Sequence, residues 1–588
     1  MENNKNVLIA IVLSAAIIIA WTLFVQGPHM AKQQAQQEAQ QAAQQAQPAQ
    51  QPAAQQPGQQ AAAPQDIGRK VVSREEALKE TPRVTIDSPR LEGSINLKGA
   101  RLDDLVLKDY RETVEPTSPN IVLLSPRDTE HAYYADLGWT GQGIATPDKD
   151  TLWQADSTAL APGKPVTLTW DNGQGLTFAR KFDLDADYMF TVTDTVTNSG
   201  SAPIDLAPYG RVVRYGTPKG ASQSYVLHEG PIGVFDGTLN EHSYSSTHSE
   251  GEDGAKFTYP STGGWMGFSD KYWLVAQIPP QDESLTSNTF YDLKADFYQI
   301  DFGSAQQQIP AGGSATRTQH LFAGAKVVSM LESYGAQLKL TKFDFAVDFG
   351  WFWFLTKPFF KVLDWLYHFA GNFGIAILCL TVLVKGAMFP LANKSYRSMS
   401  RMKLLTPKMQ ELREKFGNDR AKLNQEMMLL YKREKVNPAA GCLPIMVQIP
   451  VFYALYKVIY TTIEMRHAPF FGWIRDLSAP DPTSVLNLFG LIPWDYHALF
   501  ALPLLGGLLH FLSIGIWPLI MGFTMWSQMR LNPTPPDPVQ ARIFGLMPFI
   551  FTFMLAPFSA GLVIYWAWNN TLSIAQQRLI MWRMGVKP

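Results

Sequence analysis

A lysine inside an apolar run is the residue of this chain with the clearest chemical consequence. Lys385 sits within Phe373–Leu391, a stretch long enough to cross a bilayer. A charge at the centre of a membrane helix costs about 2.5–3.5 kcal/mol on insertion scales, so it persists where water or a polar partner receives it. In a wet pocket between helices, Lys385 would attract and hydrate polar groups at membrane depth. The other reading is a lysine that snorkels to the headgroups. From Phe373 to Lys385 a helix rises about 18 Å, leaving about 9 Å to Leu391, so position alone leaves both readings open. Thr381 lies one turn before Lys385 on the same helical face.

Other chemistries find little support. There is no Gly-rich phosphate loop ending in Lys-Ser/Thr and no His-Glu-x-x-His pair. The formal net charge of −1 argues against nucleic acid as a bulk partner. The two cysteines, Cys379 and Cys442, fall in or beside apolar runs and suggest neither a disulfide framework nor a metal site. No cofactor, metal or catalytic constellation is expected.

The elements that must position Lys385 divide the 588 residues unequally. Val7–Val25 is apolar, has no small-x-small cleavage site after it and reads as an uncleaved signal anchor, domain 1–26. Residues 27–68 contain the Gln/Ala/Pro tract Ala31–Pro64, a composition that reads as a disordered tether. Residues 69–342 read as an all-β sandwich. Alternation marks Arg83–Asp87 and Tyr188–Thr197, and Val166–Trp170 and Leu176–Arg180 flank the turn Asp171-Asn-Gly-Gln-Gly175. No paired carboxylates or His cluster stand out there, so packing and docking are its expected role.

Residues 343–370 hold an interfacial amphipathic helix. Thr356 is expected to cap it, Pro358 to fall in its first turn, and Phe359, Val362, Leu363 and Leu366 to form its apolar face. Residues 371–588 carry the remaining spans: the run with Lys385, Cys442 to about Ile463, roughly Phe511–Gln528, Ile543–Phe558 and Gly561–Gln577. With the anchor these make six. Ala498–Leu512 is assigned to an interfacial or re-entrant segment.

Ala392–Gly441 carries twelve Lys and Arg against five acids, which makes this loop cytoplasmic by the positive-inside rule. Span parity then puts both termini in the cytoplasm and residues 27–370 in the periplasm of a two-membrane bacterium. Within the loop, residues 395–436 are expected to form a helical hairpin. Thr406-Pro407 opens one helix with Met409, Leu412 and Phe416 on one face, and Gly417 ends it. Asp419 caps a second with Leu423, Met427, Leu430 and Tyr431 on one stripe. These Met-rich stripes are candidates for contact with apolar client segments.

Gly441-Cys-Leu-Pro-Ile-Met-Val-Gln-Ile-Pro-Val-Phe-Tyr-Ala-Leu-Tyr456 resembles the signature of the YidC-type membrane protein insertases. Gln425–Tyr431, Asn437-Pro438, Gly561–Tyr565, Gly93–Ala100 and Gly264–Tyr272 agree with the same family. The resemblance covers essentially the whole chain. It implies a five-helix core around a hydrophilic groove that is open to cytoplasm and lipid and closed toward the periplasm. The groove's basic residue, usually arginine in the family, corresponds to Lys385. Thr381, Gln448 and Tyr565 correspond to further groove positions, and Trp566 stands where a second tyrosine is common. The implied activity is non-enzymatic insertion of nascent inner-membrane proteins, with the Sec translocon, ribosome–nascent chain complexes and the phospholipid bilayer as partners. The alternative, a secondary transporter, usually shows inverted repeats and paired broken helices, and neither is evident here.

Overall fold

The computed structural model describes residues 71–585 apart from 219–226, 253, 418, 435, 437–442, 493–499, 501–508, 510–511 and 533–537. The anchor, the Gln/Ala/Pro tether, Asn437-Pro438, Gly441-Cys442 and most of Ala498–Leu512 lie outside the described residues.

Period-two burial builds the N-terminal half. In the strand Met189–Asn198, Phe190, Val192 and Val196 point into the core, while Thr191, Thr193 and Thr195 face outward. There Thr191, Thr193 and Thr195 meet His320, Thr318 and Thr316 across the strand pair, each at 3.1 Å. The turn at Asp171–Gly175 depends on two left-handed glycines, Gly173 at φ 68° and Gly175 at φ 87°. The Asn172 side chain holds it closed by accepting from the amides of Gln174 and Leu176.

The strands form two mixed-length sheets, one of eleven and one of nine strands. Along the larger, Phe257–Thr262, Ser284–Asp292, Phe297–Ser304, Ile204–Tyr215, Tyr133–Thr140, Arg101–Arg111, Leu91–Asn96, Arg83–Asp87 and Ala159–Leu160 are successive neighbours. Pairing is antiparallel except between Arg83–Asp87 and Ala159–Leu160. The two apolar faces share one core around Trp265, Phe178, Phe268, Phe302 and Phe322. This is the β-sandwich expected from alternation. Two of its buried ion pairs run across strands, Arg180–Asp194 at 2.6 Å and Arg211–Asp136 at 2.8 Å.

Helices α1 (Arg74–Lys79), α2 (Tyr244–Glu252) and α3 (Val328–Gln337) decorate the sandwich. The segment after α3 returns along it. Buried Lys326 donates to Ser269 Oγ and the Ala346 carbonyl, both at 3.0 Å, and Trp265 Nε1 donates to the Thr341 carbonyl.

The helical half begins with α4, Trp353–Ala370. It starts three residues before the expected cap. Thr356 is therefore an interior, buried residue whose hydroxyl donates to the Phe352 carbonyl, and Pro358 lies inside the helix instead of in its first turn. The inward stripe is Phe360, Leu363 and Leu366. Of the expected face, Leu363 and Leu366 are buried and Phe359 packs half-buried on the same core, whereas Val362 faces out with Trp353, Phe354, Trp365 and Phe369. The polar stripe Lys357, Lys361, Asp364 and His368 is narrow, and the apolar arc around it is wider than the side the protein covers, which leaves Val362 outside the contact. Gly371, left-handed at φ 69°, ends α4, and Asn372 Oδ1 accepts from Ile375 N to start the next helix.

That helix, α5, runs from Phe373 to Leu404, well past the end of the apolar run. The backbone ladder continues after the side chains turn polar, so residues 395–404 belong to α5 and the hairpin's own helices are α6 (Thr406–Phe416) and α7 (Arg420–Arg433). Gly417 and Asp419 act as expected, the latter accepting from Lys422 N. Then follow α8 (Leu443–Thr461), α9 (Ile516–Leu531), α10 (Pro538–Leu555) and α11 (Ala560–Arg583). Helix α10 begins and ends earlier than the expected 543–558. Proline suits a first helical turn, and Pro557 disfavours helix at the residue before it. Helix α9 is shifted toward the C-terminus of the expected run, starting at Ile516 and ending at Leu531, and α11 extends beyond its apolar run at both ends. Among the described residues, α5 alone is long and apolar enough to qualify as a span by length and composition, with Ala541–Leu555 a shorter apolar stretch.

Candidate functional site

Helix α11 carries four polar residues at four-residue spacing, Tyr565, Asn569, Ser573 and Gln577, and all four are buried. Four-residue steps keep them on one face, and twelve steps span about 18 Å. Each end and the middle of this stripe engage a different helix. Gln448 Nε2 on α8 donates to the Tyr565 hydroxyl at 2.5 Å. Lys385 Nζ on α5 donates to Ser573 Oγ at 2.7 Å. Gln577 Nε2 donates to the Leu531 carbonyl and to Asn532 Oδ1, both at 3.2 Å, at the end of α9. Beside the stripe, Asn570 Nδ2 reaches Thr524 Oγ1 of α9 at 3.3 Å.

Among the described residues no carboxylate lies within ion-pair distance of Lys385. Its partner is a neutral hydroxyl, which itself donates to the Asn569 carbonyl at 2.8 Å. The charge is therefore oriented but not cancelled. Among the described residues Asn569 Oδ1 and Gln577 Oε1 are buried acceptors with no hydrogen-bond partner, so the stripe retains unused polar capacity.

The other expected groove residues divide. Thr381 is buried on α5, but its hydroxyl donates to the Ile377 carbonyl of its own helix at 2.7 Å. Trp566 turns away from the polar stripe and packs on Phe452 at 4.6 Å and Phe551 at 6.2 Å. The expectations named Lys385, Gln448 and Tyr565 but missed Asn569, Ser573 and Gln577. The i, i+4, i+8, i+12 polar spacing in the last span was the signal that could have found them.

The hairpin stripes face each other. Met409 and Met427 are buried with Leu405 and Val436, and Leu412, Leu423, Leu430 and Tyr431 pack around them. Phe416 lies outside that cluster, between the ammonium groups of Lys415 and Lys422. The two short amphipathic helices bury their stripes on one another, and Met402 and Leu405 at the end of α5 complete the seam. The stripe residues are thus the hairpin's seam, and its exposed apolar side chains include Leu404, Met428 and Leu429.

The sandwich and the helices meet through specific polar contacts. Lys457 on α8 pairs with Asp348 at 2.7 Å, and Asp348 also accepts from His228 N at 2.9 Å. Glu464 Oε1 accepts from Val328 N at 3.1 Å, at the start of α3. Arg466 donates to the Arg111 and Glu112 carbonyls, and Lys271 Nζ sits 3.7 Å from the Tyr460 ring centre. Burial pushes the Glu464 carboxyl up to about 7 and pulls Lys271 down to about 8. Among the described residues no group of three or more His, Cys, Asp or Glu could hold a metal ion.

The molecule is thus a β-sandwich joined to a helical region in which an apolar helix turns a lysine onto a buried polar stripe. Residues 83–362 match the family described as YidC periplasmic domain, and residues 365–587 match the family described as 60Kd inner membrane protein. The chain belongs to the YidC family of inner-membrane proteins. A Nitrobacter hamburgensis protein named membrane protein insertase YidC is 53% identical over all of this chain and 96% of its own. One of the same name from Granulibacter bethesdensis is 56% identical over 86% of this chain and 87% of its own. A solved structure described as an active YidC insertase with its first transmembrane domain resolved aligns over 84% of this chain and 92% of its own, at 16% identity and TM-score 0.35.

Proposed function

We propose that this protein inserts nascent proteins into the bacterial inner membrane and helps them fold, without chemical catalysis. The observation that carries the reading is Lys385, an uncompensated ammonium on an apolar helix, held against the polar stripe of α11. A client's short hydrophilic segment would enter this polar interior from the cytoplasm, where water and Lys385 lower its desolvation cost. The client's apolar segment would partition into lipid beside α9 and α11. Hydrophobic transfer and the membrane potential would supply the driving force.

In this reading the chain spans the membrane six times, with both termini cytoplasmic and residues 27–370 periplasmic. Lys385, Thr381, Gln448, Tyr565 and Trp566 line or support the groove. The hairpin is a cytoplasmic platform whose seam holds it together and whose exposed Leu404, Met428 and Leu429 offer apolar contact. The exposed aromatic face of α4 suits the membrane interface. The high identity to proteins named insertases supports the activity. The Sec translocon and ribosome–nascent chain complexes are the expected partners.

Site-specific crosslinking tests the proposal. A photoreactive residue at position 448 or 569 should crosslink a ribosome-bound nascent membrane segment, and the same residue on the lipid-facing side of α5, at position 383, should do so less. Equal labelling at both places, or none in the groove, would refute it.

A further inference from the structure

We propose that Ser573 is a positioning residue for Lys385, setting where the groove's positive charge is presented to a client. The inference rests on the groove reading above and extends it to a second residue on another helix.

Lys385 and Ser573 are 188 positions apart in sequence, and their 2.7 Å contact joins α5 to α11. Ser573 is 1% exposed, so water does not compete for its oxygen. Its hydroxyl donates to the Asn569 carbonyl at 2.8 Å and also meets the Tyr396 side chain of α5, so the oxygen is held in place with a lone pair for the ammonium. A lysine side chain has four rotatable carbons and a compact, three-donor head. Without an anchor it would sample positions from the groove to the lipid headgroups, which is the snorkelling behaviour its place in the span allows. Ser573 takes one of its three donors and leaves two for solvent or client.

The chemistry of the partner matters as much as its place. An Asp or Glu at 573 would hold the ammonium equally well but would neutralise it, removing the attraction for an acidic segment. A serine holds it and leaves the full charge available. Residue 573 is therefore expected to govern how well clients with acidic translocated segments are handled, with little effect on neutral ones.

The experiment uses the full chain in membranes and two clients with one apolar segment, one with an acidic and one with a neutral translocated tail. Ser573→Ala, Ser573→Thr and Ser573→Asp are each measured with Lys385 present and in the Lys385→Ala background, at matched protein levels. Ser573→Ala and Ser573→Asp should lower acidic-tail insertion several-fold and leave neutral-tail insertion nearly unchanged. Ser573→Thr, which keeps the hydroxyl, should restore acidic-tail insertion, and neither Ser573→Ala nor Ser573→Thr should add to the loss caused by Lys385→Ala, whereas Ser573→Asp there leaves an unpaired carboxylate that repels the acidic tail further. Equal loss for both clients, or a loss from Ser573→Ala that persists in the Lys385→Ala background, would make Ser573 a packing residue and overturn the proposal. If Ser573→Ala does not accumulate, Ser573→Thr against Ser573→Asp decides, because equal acidic-tail insertion by those two also overturns it. A different result refutes the groove reading itself: Lys385→Ala alone failing to separate the two clients.

Discussion

The Lys457 ammonium and the Asp348 carboxylate meet at 2.7 Å, and Lys457 is only 2% exposed. One belongs to α8, the other to the segment that leaves the sandwich for α4, so the pair joins the two halves of the chain at the point where they are covalently connected. Removing one partner of a buried ion pair strands the other charge, at a cost of about 3–5 kcal/mol. Asp348→Ala should lower the thermal midpoint and open residues 340–352 to protease. Asp348→Ala combined with Lys457→Met should recover much of that loss. An unchanged digestion pattern in the single variant would show that the other contacts suffice.

Glu464 gives this junction a pH dependence. Burial holds its carboxyl at about 7, above an unfolded value of about 4.3, so the folded protein binds the proton more tightly. Its contribution is fully present below the unfolded value and is lost as pH rises through about 7. Junction stability, read by protease protection, should therefore fall between about pH 5 and pH 8. Glu464→Gln keeps an acceptor for Val328 N and does not titrate, so it should flatten that part of the profile.

The Gln448–Tyr565 bond is a test of polar satisfaction between helices. Tyr565→Phe would leave the Gln448 amide without this 2.5 Å acceptor in a partly buried site, costing about 1–3 kcal/mol. Reduced thermal stability in detergent is expected, and Gln448→Leu in the same background should return part of it. Strict additivity of the two changes would contradict a direct coupling.

Lys385→Arg should retain insertion of acidic-tail clients. The guanidinium keeps the charge, and its additional donors match the free Asn569 Oδ1 next to Ser573. Loss of activity equal to that of Lys385→Ala, measured on the same client, would show that the site discriminates by size as well as by charge.

In the hairpin, Lys408 pairs with Glu434 at 2.7 Å on an exposed surface. Such pairs contribute about 0–1 kcal/mol, so Lys408→Ala should leave insertion nearly unchanged. Met409→Asp and Met427→Asp strike the seam, and either should cripple it. An insertion assay in which Lys408→Ala is as harmful as the seam variants would reveal a docking contact at that lysine.

Strand periodicity was legible in the sequence because each sheet of the sandwich buries one face, as Met189–Asn198 shows residue by residue. Caps with a side-chain mechanism were legible too, Asp419 among them. The cap assigned to Thr356 failed because α4 starts without any side-chain cap, so no local chemistry marked the true beginning. Span ends failed because a helix stops where its backbone loses partners, whereas hydropathy changes where the environment does. The polar stripe escaped for a related reason. Asn569, Ser573 and Gln577 count as interruptions when an apolar run is scored and become a feature when their spacing is read. Their pairing with Lys385, Leu531 and Asn532 depends on which helices are neighbours, and no short-range pattern encodes that.

Helix α5 is 32 residues long, about 48 Å, against about 30 Å of hydrocarbon. It therefore acts as a lever arm, with the hairpin mounted on its far end and Lys385 near the fulcrum. Pro390 has no N–H to offer the Gly386 carbonyl, so the arm's most compliant joint falls one residue after the lysine. Load on the hairpin is delivered to that joint, and a contact at the hairpin some 28 Å away acquires a mechanical route to the tilt of the charged side chain.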